Sequence, residues 1–142
     1  MRVFLSIKYH PDMRNRALIE DITNTLRLSG IDTMCVVRDL EDWGAVAYTP
    51  QALMTATFAA IDRCTMVLVE LTEKGVGLGI ESGYTYAQQK PIVVLAPNSA
   101  DVSSALAGIA TLIMRYDSLD DLAALVLYIQ QRQAIADTAD AK

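Results

Sequence analysis

Thr65 to Gly83 reads TMVLVELTEKGVGLGIESG, an almost unbroken apolar run followed by a turn carrying alternating glycines. An apolar run of this length, closed by turn residues, is the pattern of a strand covered on both faces, and Pro91 to Ala96 (PIVVLA) repeats it. Working outward, three more β-branched runs appear: Arg2 to Ile7 (RVFLSI), Thr33 to Arg38 (TMCVVR) and Thr111 to Tyr116 (TLIMRY). Between them apolar residues recur at helical spacing, as Leu18, Ile22 and Leu26, then Met54, Phe58 and Ile61, then Leu119, Leu122, Leu125 and Ile129. Strands alternating with amphipathic helices predict a parallel sheet built by right-handed crossovers. Five strands suit a flavodoxin-like, three-layer, doubly wound α/β domain of strand order 2-1-3-4-5.

The local signals agree with that frame. Gly30 is placed to stop the first helix, Pro50 to open the second, and Ser118 with Asp121 to form a capping box for the last. With 142 residues the chain is expected to form a single domain over residues 1–133, followed by a fraying tail from Ala134 to Lys142. The hydrophobic fraction of 52% excludes a disordered chain. A net charge of −5 with no basic run argues against a nucleic-acid polymer as partner. No segment reaches the length of a membrane span, and the N-terminus lacks the features of a signal peptide. Cys35 and Cys64 form no CxxC pair, so buried thiols in a cytoplasmic protein are expected. His10 is the only histidine, which excludes a histidine-based metal cluster.

In a sheet of this order, ligands sit beyond the carboxyl ends of the strands, where the first and third strands part. The glycine turn lies there. Gly75, Gly77 and Gly79 let the backbone approach a ligand and present N–H groups ahead of the helical stretch from Tyr84. The turn is neither a dinucleotide fingerprint nor a phosphate loop, since GxGxxG fails in register and no Gly-Lys-Ser/Thr follows. No cofactor is implied. Glu81 follows the glycines, where N–H donors and a helix dipole would keep its carboxylate ionised, and a fixed carboxylate can act at a glycosidic carbon. A glutamate in a first helical turn is also favourable with no chemistry attached.

Thr72 to Gly83 (TEKGVGLGIESG), with the strand before it and Gln88, Lys90 and Ile92 to Leu95 after it, resembles the nucleoside 2-deoxyribosyltransferase family, including its 2'-deoxynucleoside 5'-phosphate N-hydrolases. Ser6-Ile7-Lys8 is similar to the first loop of the N-hydrolases, and Ser103 to Leu106 to their segment after the fourth strand. The resemblance implies that Glu81 attacks C1' or stabilises its cation, that Ser6 contacts phosphate, and that Ser104 reaches a neighbouring subunit's site in a homo-oligomer. The implied partner is a nucleoside or nucleoside 5'-monophosphate, and the implied enzyme a hydrolase or a deoxyribosyltransferase. Two positions depart from the pattern: Thr57 stands where the family has an Asp, and Gly75 where it has Asp or Ser. Glu70, Asp62 and Asp39 are candidate substitutes, with Glu70 preferred because it ends the third strand.

Lys8, Tyr9 and His10 follow the first strand at the ligand edge, where a cation could neutralise a 5'-phosphate and Tyr9 could bond the sugar, and Arg38 could meet phosphate or pair with Asp39. Trp43 and Tyr48 could stack a base or anchor their long loop on the core. A non-catalytic nucleotide-sensing module on the same scaffold is the alternative, because Thr57 cannot transfer a proton.

Overall fold

The computed structural model describes residues 1–140 of the chain. Five strands form one parallel sheet: β1 (Arg2–Ser6), β2 (Asp32–Met34), β3 (Met66–Glu70), β4 (Ile92–Pro97) and β5 (Leu112–Tyr116), in the order β2-β1-β3-β4-β5. The helices are α1 (Arg16–Leu28), α2 (Pro50–Asp62), α3 (Val76–Ala87), α4 (Ser104–Ile109) and α5 (Leu122–Asp140). This is the expected flavodoxin-like fold.

Two cores hold the layers together. Val3, Leu5, Ile7 and Leu68 pack with Ile19, Ile22 and Leu26 of α1 and Leu122, Leu125 and Ile129 of α5. On the opposite face Phe4, Val67, Val69 and Val94 pack with Ile61 of α2 and Leu78 of α3. Alternate residues of β3 thus feed opposite cores, which is why its sequence is apolar throughout.

The ends of the elements follow local chemistry. Gly30 takes φ +78° after α1, a conformation that a Cβ would strain. Thr49 caps α2 by accepting from the N–H of Ala52, with Pro50 in the first turn. The Ser118–Asp121 capping box is formed.

Three expectations change. The second strand is shorter than Thr33 to Arg38: the chain turns at Cys35 into a π-helical turn over Val36–Leu40, because Asp39 accepts the Cys35 N–H at 2.8 Å and Arg38 folds back onto the Thr33 carbonyl at 2.8 Å. The glycine turn is not an open loop, since α3 begins at Val76 and takes in Gly77, Gly79 and Gly83. Residues Ala134 to Asp140, expected in a fraying tail, continue α5, while 141 and 142 lie outside the described residues. Cys35 and Cys64 are both buried free thiols. Among the described residues no helix is long and apolar enough to cross a membrane.

Candidate active site

Ser6 ends β1 and shares the parity of Phe4, so it faces α2 and α3. Glu81 lies one turn beyond Leu78 on α3 and brings its carboxyl to the same point, where the Ser6 hydroxyl donates to Oε2. Ser6 is 1% exposed, so its hydroxyl is committed to Glu81 and is not offered to solvent or to a phosphate. Burial raises the Glu81 pKa to about 7, and the Ser6 hydrogen bond only partly offsets it. The carboxyl is therefore poised near neutrality, not held fully ionised by a helix end as the sequence suggested. The reason is geometric: α3 starts five residues earlier, so Glu81 sits beyond the first turn, where no free N–H points at it.

On the same face of the sheet a cavity of about 630 Å³ opens between the start of α3 and α4, and neither Ser6 nor Glu81 lines it. Leu71, Leu78, Leu106 and Ile109 form its apolar walls, and Lys8, Lys74 and Ser103 supply polar groups. Gly75 and Gly79 line it, whereas Gly77 and Glu81 do not. An added Cβ at Gly75 would lie 3.1 Å from Cδ of Lys8 and 3.5 Å from its Nζ, so a side chain there would have to shift the lysine slightly. Lys74 is tied to Asp101.

The remaining candidates divide clearly. Glu70 is buried and ends β3, but its parity is that of Met66 and Leu68, which puts it on the α1 and α5 face, across the sheet from Ser6 and Glu81. Its Oε1 accepts from the Thr72 N–H at 3.1 Å, the Thr72 hydroxyl at 2.5 Å and the Tyr116 hydroxyl at 2.8 Å. The expectation that Glu70 faces the Glu81 site is thus corrected. Arg38 grips Asp39 through two hydrogen bonds and lies by Arg2 and Asp32, at the amino ends of β1 and β2, away from the ligand edge. That arrangement removes both Arg38 and Asp39 from the site. Asp62 accepts from Tyr84 and Gln88 on the surface between α2 and α3. The Thr57 hydroxyl is buried and spent on the Leu53 carbonyl at 2.8 Å.

Trp43 anchors its loop on the α1 core, with the Arg16 guanidinium 4.3 Å from the ring centroid, and lines neither cavity at the ligand edge. Tyr9 and Tyr48 are exposed. Ser104 is exposed at the start of α4, and its neighbour Ser103 both caps that helix and lines the cavity.

Tyr116, which reaches Glu70 from β5, had no sequence signal of its own, and His10, expected at the ligand edge, is buried there with Nε2 2.8 Å from Glu73. Both partnerships join distant segments, which local patterns do not encode. Among the described residues no group of acidic, histidine and cysteine side chains could hold a metal ion.

No family model and no curated protein matches the chain. Solved structures do. The CMP N-glycosidase BcmB of Clostridium botulinum is similar at 20% identity and a TM-score of 0.68, covering 90% of this chain and 99% of its own. A 2-deoxyribosyltransferase from Bacillus psychrosaccharolyticus is similar at 10% identity and a TM-score of 0.63, covering 86% of this chain and 90% of its own. The SEFIR domain of IL-17 receptor B gives 11% identity and a TM-score of 0.61, over 92% and 95%. At these identities the likeness is one of fold, and a fold serves many functions. The chain has the fold of nucleoside 2-deoxyribosyltransferase-like proteins, which the receptor domain also shares.

Proposed function

We propose that the chain belongs with the nucleoside 2-deoxyribosyltransferases and N-glycosidases, and that it cleaves or transfers at the N-glycosidic bond of a nucleoside or nucleoside 5'-monophosphate, with Glu81 as nucleophile. The observation that carries this is the Glu81 carboxyl, desolvated and oriented by Ser6 at the carboxyl edge of the sheet, on the same face as a cavity large enough for a nucleotide. Ser6 holds Oε2, which leaves Oε1 to attack C1' as the bond to the base breaks and its electron pair leaves with the base. Lys8 supplies a cation for a 5'-phosphate at Gly75, and the apolar walls receive the rest of the molecule. Ser104, exposed at the start of α4, is free to reach the site of a neighbouring copy, a role that a monomer in solution would remove.

The test is release of free base from a panel of deoxynucleosides, ribonucleosides and their 5'-monophosphates. The proposal expects release that Glu81→Gln abolishes, and a second base accelerating sugar transfer would mark a transferase. One observation favours the sensing alternative: Glu70 faces the other side of the sheet and Thr57 spends its hydroxyl on the backbone, so neither gives Glu81 an acid partner. Tight binding of a nucleotide without base release would support that reading and refute the enzymatic one.

A further inference from the structure

A second cavity, of about 250 Å³, opens at the same edge of the sheet but on the α1 face, and of the residues assigned to the reaction above only Lys8 lines it. Its chemistry centres on Glu70, which is 1% exposed yet forms part of the wall. The three donors that reach Glu70 all go to Oε1, so among the described residues Oε2 has no hydrogen-bond partner. The residue is buried but Oε2 is not sealed off, so this oxygen is an acceptor that a ligand in the cavity can reach. Asn15 lines the cavity too; its Nδ2 donates to the Lys8 carbonyl at 2.7 Å, which leaves Oδ1 as a second acceptor.

The charges on the wall decide the ligand class. Lys8 and Arg14 are opposed by Glu70 and Glu73, so their formal charges cancel. Glu73 already engages Arg14 at 3.3 Å and His10 at 2.8 Å. A phosphate would meet two carboxylates there, and a cation would meet the lysine and the arginine. A neutral molecule with several hydroxyls meets both acceptors and donors. At about 250 Å³ the space lies just below the range of drug-sized pockets, which suits a small ligand such as a pentose.

We infer that this cavity binds a neutral polyhydroxylated ligand of pentose size, with Glu70 Oε2 and Asn15 Oδ1 accepting from its hydroxyls and Arg14 and Lys8 donating to it. A carboxylate at a strand's carboxyl end accepts sugar hydroxyls in the same way in dinucleotide-binding sheets. The inference stands apart from the glycosidic reaction, because the Ser6–Glu81 pair lies across the sheet.

Titration of the full chain with ribose, 2-deoxyribose and ribose 5-phosphate, followed through backbone amide NMR shifts, tests it. Saturable shifts are expected at Ile7 to Asn15 and at Thr72 and Glu73, with the phosphorylated sugar binding no more tightly than the neutral one. Glu70→Gln should weaken binding about tenfold, as should Arg14→Ala, whose exposed side chain leaves the fold intact if the buried substitution does not. Glu81→Gln should leave the affinity unchanged. Shifts confined to Gly77 to Ser82, loss of binding in Glu81→Gln, or no saturable shift with any of the three sugars would overturn the inference. None of these results would alter the outcome of the base-release assay.

Discussion

Replacing Glu81 by glutamine should change the pH dependence of stability more than the stability at any one pH. The folded carboxyl has a pKa near 7 against 4.5 for its ordinary value, and each unit corresponds to about 1.4 kcal/mol, so ionising it in the folded protein costs about 3 kcal/mol. The sign follows from the direction of the shift. The folded form binds the proton more tightly than the unfolded chain, so this contribution is fully present below pH 4.5 and is lost as pH rises through 7. Glutamine keeps the hydrogen bond from Ser6 and never ionises. Relative to the variant, the wild type should therefore lose about 3 kcal/mol between pH 4.5 and 8, while the titrations common to both proteins cancel in the difference. For a domain of this size that is roughly 6–12 °C in Tm. Urea unfolding followed by fluorescence of the single tryptophan, Trp43, at a series of pH values would measure it. Parallel curves for the two proteins would show the carboxyl to be solvated and would refute the burial argument.

Other outcomes follow from the same geometry. If Glu81 must be ionised to attack, kcat/KM should rise with pH through about 7 and level off above it, and a rate independent of pH between 5.5 and 8.5 would remove it as nucleophile. Gly75→Ala leaves the backbone unstrained at φ −161° but crowds the Lys8 stem, so a 5'-monophosphate should bind about tenfold more weakly with Tm nearly unchanged, as calorimetry and a thermal melt would show. Tyr116→Phe removes a donor from the buried Glu70 carboxylate and should destabilise the protein by about 1–3 kcal/mol in urea unfolding.

The sheet was legible because β3 and β4 are apolar on both faces and strands alternate with helices, and the order that a count of five strands suggested is the one observed. The end of β2 was not. Val36 and Val37 read as strand, yet the Asp39 carboxylate and the Arg38 guanidinium turn the chain back on itself, a competition between side-chain and ladder hydrogen bonds that propensity does not score. The glycines misled in a similar way. Gly77 and Gly79 suggested open backbone, but Leu78, Ser82 and Thr85 recur at helical spacing and their burial fixes the helix from Val76.

The position of Glu70 was readable in principle. Alternation along β3 pairs it with Met66 and Leu68, whereas Ser6 pairs with Phe4, so the two lie on opposite faces by parity alone. The contact between Ser6 and Glu81 joins residues 75 positions apart, and only the family resemblance pointed to both. What the resemblance could not supply was the environment of the carboxyl, since burial is a property of the packed fold.

The most direct measurement of the nucleophile is mass spectrometry of the protein after incubation with a 2'-fluoro-2'-deoxynucleotide, whose electron-withdrawing fluorine slows breakdown of an ester at C1'. A Glu81 nucleophile predicts an added glycosyl mass on the peptide that contains Glu81, absent in Glu81→Gln. Base released with no adduct, or an adduct on another side chain, would contradict it.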